Sequence, residues 1–165
     1  MGESGVIHVL VLCTGNSARS ILGEMLFNHL GAGRVKAYSA GSKPGGQVNP
    51  VAVETLERHG VPSTGARSKS WDEFAVLGAP QFDFIFTVCD NAASETCPVW
   101  PGHPATAHWG IPDPAHVEPI AARREAFEAA YQSLQQRIEA FLALPLESME
   151  REEALAAARR IHQEN

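Results

Sequence analysis

An apolar run at residues 6–12 passes directly into a short polar turn at residues 13–20, and a helical pattern follows the turn. An unbroken apolar run of this length is typical of a parallel strand that is buried on both faces. After the turn, apolar residues recur at helical spacing from Ile21 to Leu30, and Gly31 predicts the end of the helix. This strand–turn–helix unit favours an α/β fold.

The rest of the chain repeats the alternation of strands and helices. Further strands are predicted at residues 35–39, 82–88 and 106–108, and helices at residues 49–59, 70–74, 118–143 and 147–163. This order predicts one α/β domain with a doubly wound, four-stranded parallel sheet flanked by helices. We expect the domain to cover residues 1–146 and residues 147–165 to form a polar helical extension. Its few apolar positions favour a solvated tail.

Residues that could take part in catalysis or ligand binding follow all four predicted strands. Cys13 follows the first strand, residues 39–41 the second, Cys89 the third and Asp113 the fourth. In doubly wound sheets, ligands bind beyond the carboxyl ends of the strands. The sequence therefore predicts a functional site at this edge of the sheet.

The turn at residues 13–20 has the composition of an anion-binding loop. Its residues are Cys13, Thr14, Gly15, Asn16, Ser17, Ala18, Arg19 and Ser20. We expect Gly15 to adopt a positive φ and to let the backbone approach a ligand. Successive N–H groups and the positive end of the following helix would then bind a tetrahedral anion, with Arg19 contacting two of its oxygens.

The same surroundings would activate Cys13. A cationic neighbour and a helix N-terminus favour thiolate, so the nucleophile and its electrophile would share one loop. The alternative is a glycine-containing turn beside a buried cysteine. The loop is not a Walker A motif, because it lacks the Gly-Lys-Ser/Thr sequence.

Charge and cysteine content narrow the classes of function. The net charge of −6 and the absence of a basic stripe argue against nucleic-acid binding. No apolar run approaches the roughly 18–20 residues that span a bilayer, and no signal peptide is recognisable, so we expect a cytoplasmic protein without a membrane partner. The spacing of Cys13, Cys89 and Cys97 does not suit zinc, which leaves inert core cysteines or redox chemistry.

Several short blocks resemble a known family. The resemblance is to low-molecular-weight protein tyrosine phosphatases. The similar blocks are residues 13–20, 39–41, 88–90 and 97–98, and residues 108–110 leading into Asp113-Pro114. They are more similar to the three-cysteine, thiol-coupled arsenate reductases that share the phosphatase fold. The resemblance covers residue 9 to about residue 144. Ala18 stands where many of the phosphatases have a second cysteine.

The resemblance implies a reaction sequence for arsenate. Cys13 would attack arsenate within the loop formed by Thr14, Gly15, Asn16, Ser17, Ala18 and Arg19, with Ser20 donating a hydrogen bond to the thiolate. Asp113 would donate a proton to the departing oxygen, although an aspartate before proline also commonly forms a turn. Cys89 would then attack Cys13 and release arsenite, and Cys97 would attack Cys89. Thioredoxin, or glutaredoxin with glutathione, would reduce the final disulfide, and phosphate or sulfate would compete with arsenate.

Two other functions stay open. One is a protein tyrosine or phosphoester phosphatase that uses Cys13, Arg19 and Asp113, and the other is an oxyanion-binding module. The pair of Cys89 and Cys97 distinguishes a reductase from both alternatives, because neither a phosphatase nor an oxyanion-binding module needs these cysteines. Some of the similar reductases bind potassium, and oxygen-bearing side chains stand at matching positions: Asn16, Glu24, Ser39, Ser70 and Asp72. We expect His108 to be structural, and His103 and His116 to be loop residues.

Overall fold

The sheet consists of four parallel strands: β1 (Ile7–Cys13), β2 (Val35–Gly41), β3 (Phe84–Thr87) and β4 (Ala105–His108). Their order across the sheet is β2-β1-β3-β4 in a computed structural model that describes residues 6–74, 81–88 and 105–164. The α-helices within these ranges are α1 (Arg19–Leu30), α2 (Pro50–Arg58), α3 (Ile120–Leu142) and α4 (Arg151–Glu164). Two short 3₁₀ helices cover Trp71–Phe74 and Leu146–Ser148.

The strand order places a switch point at the end of β1. β1 pairs with β2 on one side and with β3 on the other, so the chain leaves β1 in one direction and later returns on its opposite side. Cys13 lies opposite Gly41, and Leu12 lies opposite Thr87. The expected doubly wound parallel sheet is confirmed, and Cys13 ends the strand at its switch point, where such sheets bind ligands.

Alternate residues of β1 pack on opposite faces of the sheet, as the two-residue period of a strand requires. Val9 and Val11 belong to the larger core, to which α1, α2, α3 and α4 all contribute buried side chains. Leu10 and Leu12 belong to a smaller core with Trp71 of the first 3₁₀ helix. Because β1 is buried on both faces, its sequence reads as one continuous apolar run.

Helix starts follow the predicted capping residues. The Asn49 side chain accepts a hydrogen bond from the Val51 N–H at 2.9 Å, and α2 begins at Pro50. The Ser70 hydroxyl accepts one from the Asp72 N–H at 3.1 Å at the start of the short helix. Both predicted caps are confirmed.

The interpretation of the C-terminal helix as a solvated tail is wrong. Ala154, Ala158 and Ile161 of α4 are buried in the larger core. The Trp109 indole N–H also donates to the Ala158 carbonyl at 2.8 Å. Small side chains let a helix pack closely without the large apolar residues on which the prediction depended. The division of the chain at residue 146 stays a prediction.

None of the helices within the described ranges is long and apolar enough to cross a membrane.

Candidate active site

The anion-binding loop lies between the end of β1 and the start of α1. Cys13 is the last residue of β1 and is buried. Gly41, beside it at the end of β2, has no room for a side chain. A Cβ there would stand 2.8 Å from the Cys13 carbonyl oxygen and closer still to that of Thr14. The end of β2 therefore supports the loop from behind by direct backbone contact.

The left-handed residue of the loop is Asn16, with a φ of 46°. The expectation of a positive φ at Gly15 is wrong. A Cβ on Gly15 would meet the Ser17 hydroxyl at an ordinary 3.7 Å, so crowding does not require glycine there either. Asparagine tolerates the left-handed region because its side chain can form local hydrogen bonds.

The carbonyl groups of the loop are turned toward the surrounding protein. Those of Thr14, Gly15 and Ser17 accept hydrogen bonds from the N–H groups of Lys43, Gly45 and Asn49 at 3.0, 3.1 and 2.8 Å. Gly15 also accepts one from the Ser68 hydroxyl at 3.1 Å. Outward carbonyls of this kind are the arrangement that an anion-binding nest requires. Ala18 provides no side-chain cap for α1, so no side chain of that residue competes with a ligand for the first turn of the helix.

Asn16 connects the loop to the neighbouring segments. It is fully buried, and its amide nitrogen donates to the hydroxyls of Ser20 at 2.8 Å and Ser39 at 3.0 Å. Its amide oxygen accepts from the Lys69 N–H at 2.8 Å. A second backbone contact joins the Gly41 N–H to the Lys69 carbonyl at 2.9 Å. The loop, the end of β2 and residues 68–70 thus form one hydrogen-bonded unit.

A buried ion pair lies behind this unit. The Ser39 hydroxyl donates to the Glu24 carboxylate, and the Lys69 ammonium lies 3.8 Å from the same carboxylate oxygen. Burial raises the pKa of Glu24, and the charge of Lys69 partly offsets that rise. Burial likewise lowers the pKa of Lys69. Desolvation thus disfavours both charges, and each partner makes the other's charged state less costly.

Arg19 joins the loop to the segment that carries Asp113. One terminal nitrogen donates to the Ile111 carbonyl at 2.9 Å, and the other lies 3.7 Å from the Asp113 carboxylate. The buried Nε has no hydrogen-bond partner among the described residues. Because an unsatisfied buried donor costs free energy, this nitrogen suits a bound oxyanion as its acceptor.

Asp113 forms a turn and also faces Arg19. Its carboxylate accepts from the Ala115 N–H at 2.9 Å, which is the turn-forming role weighed as the alternative. The side chain is 42% exposed and therefore accessible to solvent protons. The two roles coexist, because one carboxylate oxygen forms the turn and the other faces the guanidinium.

Buried contacts fix the backbone before Asp113. The guanidinium of Arg137, on α3, donates to the carbonyls of Trp109 at 3.1 Å and Gly110 at 3.3 Å. The indole of Trp109 is held in turn by the Ala158 carbonyl of α4. Both long C-terminal helices therefore support the segment that presents Asp113.

Known proteins place this arrangement in a family. A family model described as low molecular weight phosphotyrosine protein phosphatase matches residues 8–155. The chain belongs to this family. It is 34% identical over 125 residues to an arsenate reductase of Bacillus subtilis. The aligned residues cover 76% of this chain and 85% of the relative. The chain is 36% identical over 110 residues to an arsenate reductase of Shouchella clausii, covering 67% and 76% respectively.

Solved structures agree with the assignment. An arsenate reductase in the phosphate-binding state superposes with a TM-score of 0.64 at 25% identity, over 83% of this chain and 97% of that one. The expected phosphatase-like fold and the expected resemblance to arsenate reductases of the low molecular weight phosphatase family are both confirmed.

The structure brings together only part of the predicted site. Cys13 ends β1, Arg19 and Ser20 begin α1 directly after the loop, and Arg19 lies 3.7 Å from Asp113. Cys89 and Cys97 lie outside the described residues, as does His103. His108 shares a hydrogen bond with the Thr87 hydroxyl at 2.8 Å, in keeping with a structural role.

The cation question stays open. In the described part of the chain, no three His, Cys, Asp or Glu side chains form a group that could hold a metal ion. Three of the potassium candidates, Asn16, Glu24 and Ser39, form one hydrogen-bonded chain, and the Lys69 ammonium already lies beside it. Potassium binding stays a prediction.

Sequence reasoning missed two supports of the site. It placed Gly41 at the functional edge of the sheet but did not predict its close backbone contact with the loop, which a glycine at the end of a strand often marks. Lys69 and Arg137 carried no usable signal, since one lies in a polar loop and the other on a helix rich in charged residues. Their contacts depend on tertiary structure alone.

Proposed function

We propose that the protein is an arsenate reductase that converts arsenate to arsenite, with Cys13 as nucleophile. The observation that carries the proposal is the position of Arg19, which joins the loop of a buried cysteine to Asp113 while keeping an unpaired buried Nε. A buried donor with no partner among the described residues suits a tetrahedral oxyanion. The two curated relatives described above are arsenate reductases, which favours arsenate as the substrate.

In the first step, the Cys13 thiolate attacks arsenic. A sulfur–arsenic bond forms and an arsenic–oxygen bond breaks, and the departing oxygen takes a proton from Asp113 and leaves as water. Inward N–H groups of the loop and Arg19 stabilise the charge on the remaining oxygens. Ser20 donates to the thiolate sulfur before the attack.

In the second step, the Cys89 thiolate attacks the Cys13 sulfur. A disulfide forms, the sulfur–arsenic bond breaks, and its electron pair reduces arsenic(V) to arsenic(III), which leaves as arsenite. Cys97 then attacks Cys89 and restores the Cys13 thiolate. The proposed roles of Cys89 and Cys97 depend on the sequence and its resemblance to three-cysteine reductases.

An external thiol completes the cycle by reducing the Cys89–Cys97 disulfide. We propose thioredoxin, or glutaredoxin with glutathione, as this partner, and the reducing cytoplasm as the compartment that supplies it. Phosphate and sulfate should compete with arsenate, because the loop recognises a tetrahedral anion. The related reductase solved in a phosphate-binding state supports this expectation.

A phosphatase is the second candidate, and the description of the matching family favours it. Hydrolysis of a phosphoester needs only Cys13, Arg19 and Asp113, with water resolving the covalent intermediate. Cys89 and Cys97 would then be packing residues. Substitution of these two cysteines therefore distinguishes an arsenate reductase from a phosphatase.

The deciding experiment measures arsenate reduction and p-nitrophenyl phosphate hydrolysis in parallel, with each purified reductant system assayed separately. The wild type should reduce arsenate over many cycles with one of the two systems. Cys89→Ser should lose reduction but keep slow hydrolysis, because water can still release the Cys13 adduct. The matched variant Cys97→Ser should complete one turnover and stop with a Cys13–Cys89 disulfide. Continued arsenate reduction over many cycles by Cys89→Ser with a protein reductant would contradict the relay through Cys89. Hydrolysis by the wild type without any arsenate reduction would favour the phosphatase.

A further inference from the structure

Two charged side chains are buried together directly behind the anion-binding loop. Glu24 of α1 is 9% exposed and Lys69 is 7% exposed, and their charged atoms lie 3.8 Å apart. The Lys69 ammonium also donates to the Arg67 carbonyl at 3.1 Å. Burying two charges is costly, and an apolar pair of similar volume would often stabilise a fold equally well. We therefore expect the ion pair to have a role in the anion-binding loop that it supports.

The direction of each hydrogen bond in front of the pair follows from one backbone group. The Lys69 N–H can only donate, so the Asn16 amide must present its oxygen to it. The Asn16 amide nitrogen must then face the hydroxyls of Ser20 and Ser39 and donate to both. Each hydroxyl oxygen accepts, and each keeps one hydrogen to donate elsewhere.

Glu24 determines where one of those hydrogens goes. The Ser39 hydroxyl donates to its carboxylate, which orients Ser39 so that its lone pairs face the Asn16 amide. Asn16 then donates to the Ser20 oxygen as well, and the Ser20 hydrogen is left for another acceptor. The proposed function assigns the Cys13 sulfur as that acceptor. A charged acceptor at position 24 thus orients the whole chain.

The same carboxylate would oppose the chemistry if it stood alone. A thiolate and a bound oxyanion both add negative charge in front of the loop, and a nearby negative charge disfavours both. Lys69 supplies the opposite charge, with its ammonium 3.8 Å from one carboxylate oxygen.

We propose that Lys69 is a positioning residue for Cys13. It lets Glu24 serve as the charged acceptor that orients Ser39, Asn16 and Ser20, without adding net negative charge behind the anion site. The proposal deepens the proposed function and rests on it for the role of the loop, but it concerns nucleophile activation and anion binding rather than reduction.

The test uses Lys69→Met, which removes the ammonium and keeps both backbone contacts of residue 69. Two quantities are measured at pH 6.5: the rate of Cys13 alkylation by iodoacetamide, followed by peptide mapping, and the affinity for inorganic phosphate. Each should fall about tenfold, the equivalent of one pKa unit. Lys36→Met is the matched control, because it removes the same charge from an exposed position on β2, and it should leave both quantities unchanged.

The double variant Lys69→Met/Glu24→Gln separates charge compensation from a merely structural role. The introduced amide keeps an acceptor oxygen for Ser39 and carries no charge, so alkylation and phosphate affinity should return to within about threefold of wild type. A double variant as impaired as Lys69→Met would overturn the proposal, and so would a Lys69→Met protein with wild-type values. If Lys69→Met does not fold, the double variant alone decides by the same threshold. Neither measurement involves arsenate reduction, so failure of the proposed function would be seen separately.

Discussion

The anion-binding loop and the Asp113 segment face each other but are held in different ways. In the loop, Cys13, Asn16 and Ser20 are buried, and side chains as well as backbone bond to the surrounding protein. In the other segment, the buried contacts reach the residues before Asp113, and the Asp113 carboxylate itself is exposed. The binding half is therefore preorganised, while the proton donor stays open to the solvent that must reprotonate it in each cycle.

This difference separates two kinds of substitution. Changes to the loop groups that hold the anion should affect both anion affinity and chemistry, whereas loss of the Cys13 sulfur should remove the chemistry alone. Changes in the Asp113 segment should affect the rate of adduct formation while phosphate affinity is maintained. The first three of the following variants test whether the two regions behave so differently, and the last is a control outside both.

Cys13→Ser should have the largest effect. Turnover should fall by at least about 10⁴-fold, on the scale seen when a covalent nucleophile is removed. Phosphate should still bind with close to the wild-type affinity, because the backbone N–H groups and Arg19 are unchanged. Steady-state kinetics and calorimetric titration with phosphate measure the two quantities. Residual turnover near the wild-type rate would assign the chemistry to another residue.

Asp113→Asn should slow adduct formation by about 10²–10⁴-fold, the usual contribution of a positioned acid. The stability of the fold should change by less than about 0.5 kcal/mol, since the side chain is exposed. Rapid-quench single-turnover kinetics and urea unfolding measure these effects, and Glu125→Gln on the exposed surface of α3 is the control for lost charge. An unchanged single-turnover rate would leave Asp113 with its turn-forming role alone.

Arg137→Met should produce an intermediate effect on the rate and leave the anion-binding loop unaffected. The carbonyls of Trp109 and Gly110 would lose a buried donor, which should cost about 1–3 kcal/mol of stability. Misplacement of Asp113 should slow adduct formation by about tenfold, because small displacements of catalytic groups are costly. Phosphate affinity should be unchanged. An equal loss of rate and phosphate affinity would show that the two regions are not held independently.

Glu147→Gln should have the smallest effect. The hydrogen bond from Arg34 lowers the pKa of Glu147, which lies in the turn before α4. A lowered pKa stabilises the fold at pH values above the unfolded-state pKa of about 4.3. This contribution is lost as the pH falls through the lower pKa of the folded state. Because the pair is exposed, the difference should be below about 1 kcal/mol at pH 7. Thermal unfolding from pH 7 to pH 3 should show the two proteins converging in acid, with unchanged activity at pH 7.

The sequence predicted the sheet more completely than the helices around it. The continuous apolar run of β1 marked a strand buried on both faces, and the caps Asn49 and Ser70 marked helix starts. The contact of α4 with the core escaped prediction because alanines carry little hydrophobic signal. Their value lies in close packing, which depends on the shape of the surface that receives them.

The residues of the site also divide into those that the sequence could predict and those that it could not. Cys13, Arg19 and Asp113 were predictable because their chemistry requires particular residue types near strand ends. The left-handed position was assigned to Gly15 because glycine tolerates it best, but the side-chain hydrogen bonds of Asn16 stabilise it there instead. Lys69 and Glu24 are 45 residues apart (69 minus 24) in the printed sequence. No local pattern joins them, so their pairing needed the fold.

In the proposed mechanism, Cys13 begins a two-electron reduction that ends in a disulfide. The most direct test exposes wild-type enzyme to arsenate without any reductant, quenches it with an alkylating agent and maps the cysteine peptides by mass spectrometry. We predict one arsenite per enzyme molecule, a Cys89–Cys97 disulfide and an alkylated Cys13. Three alkylated cysteines with the arsenate unreduced would contradict the account.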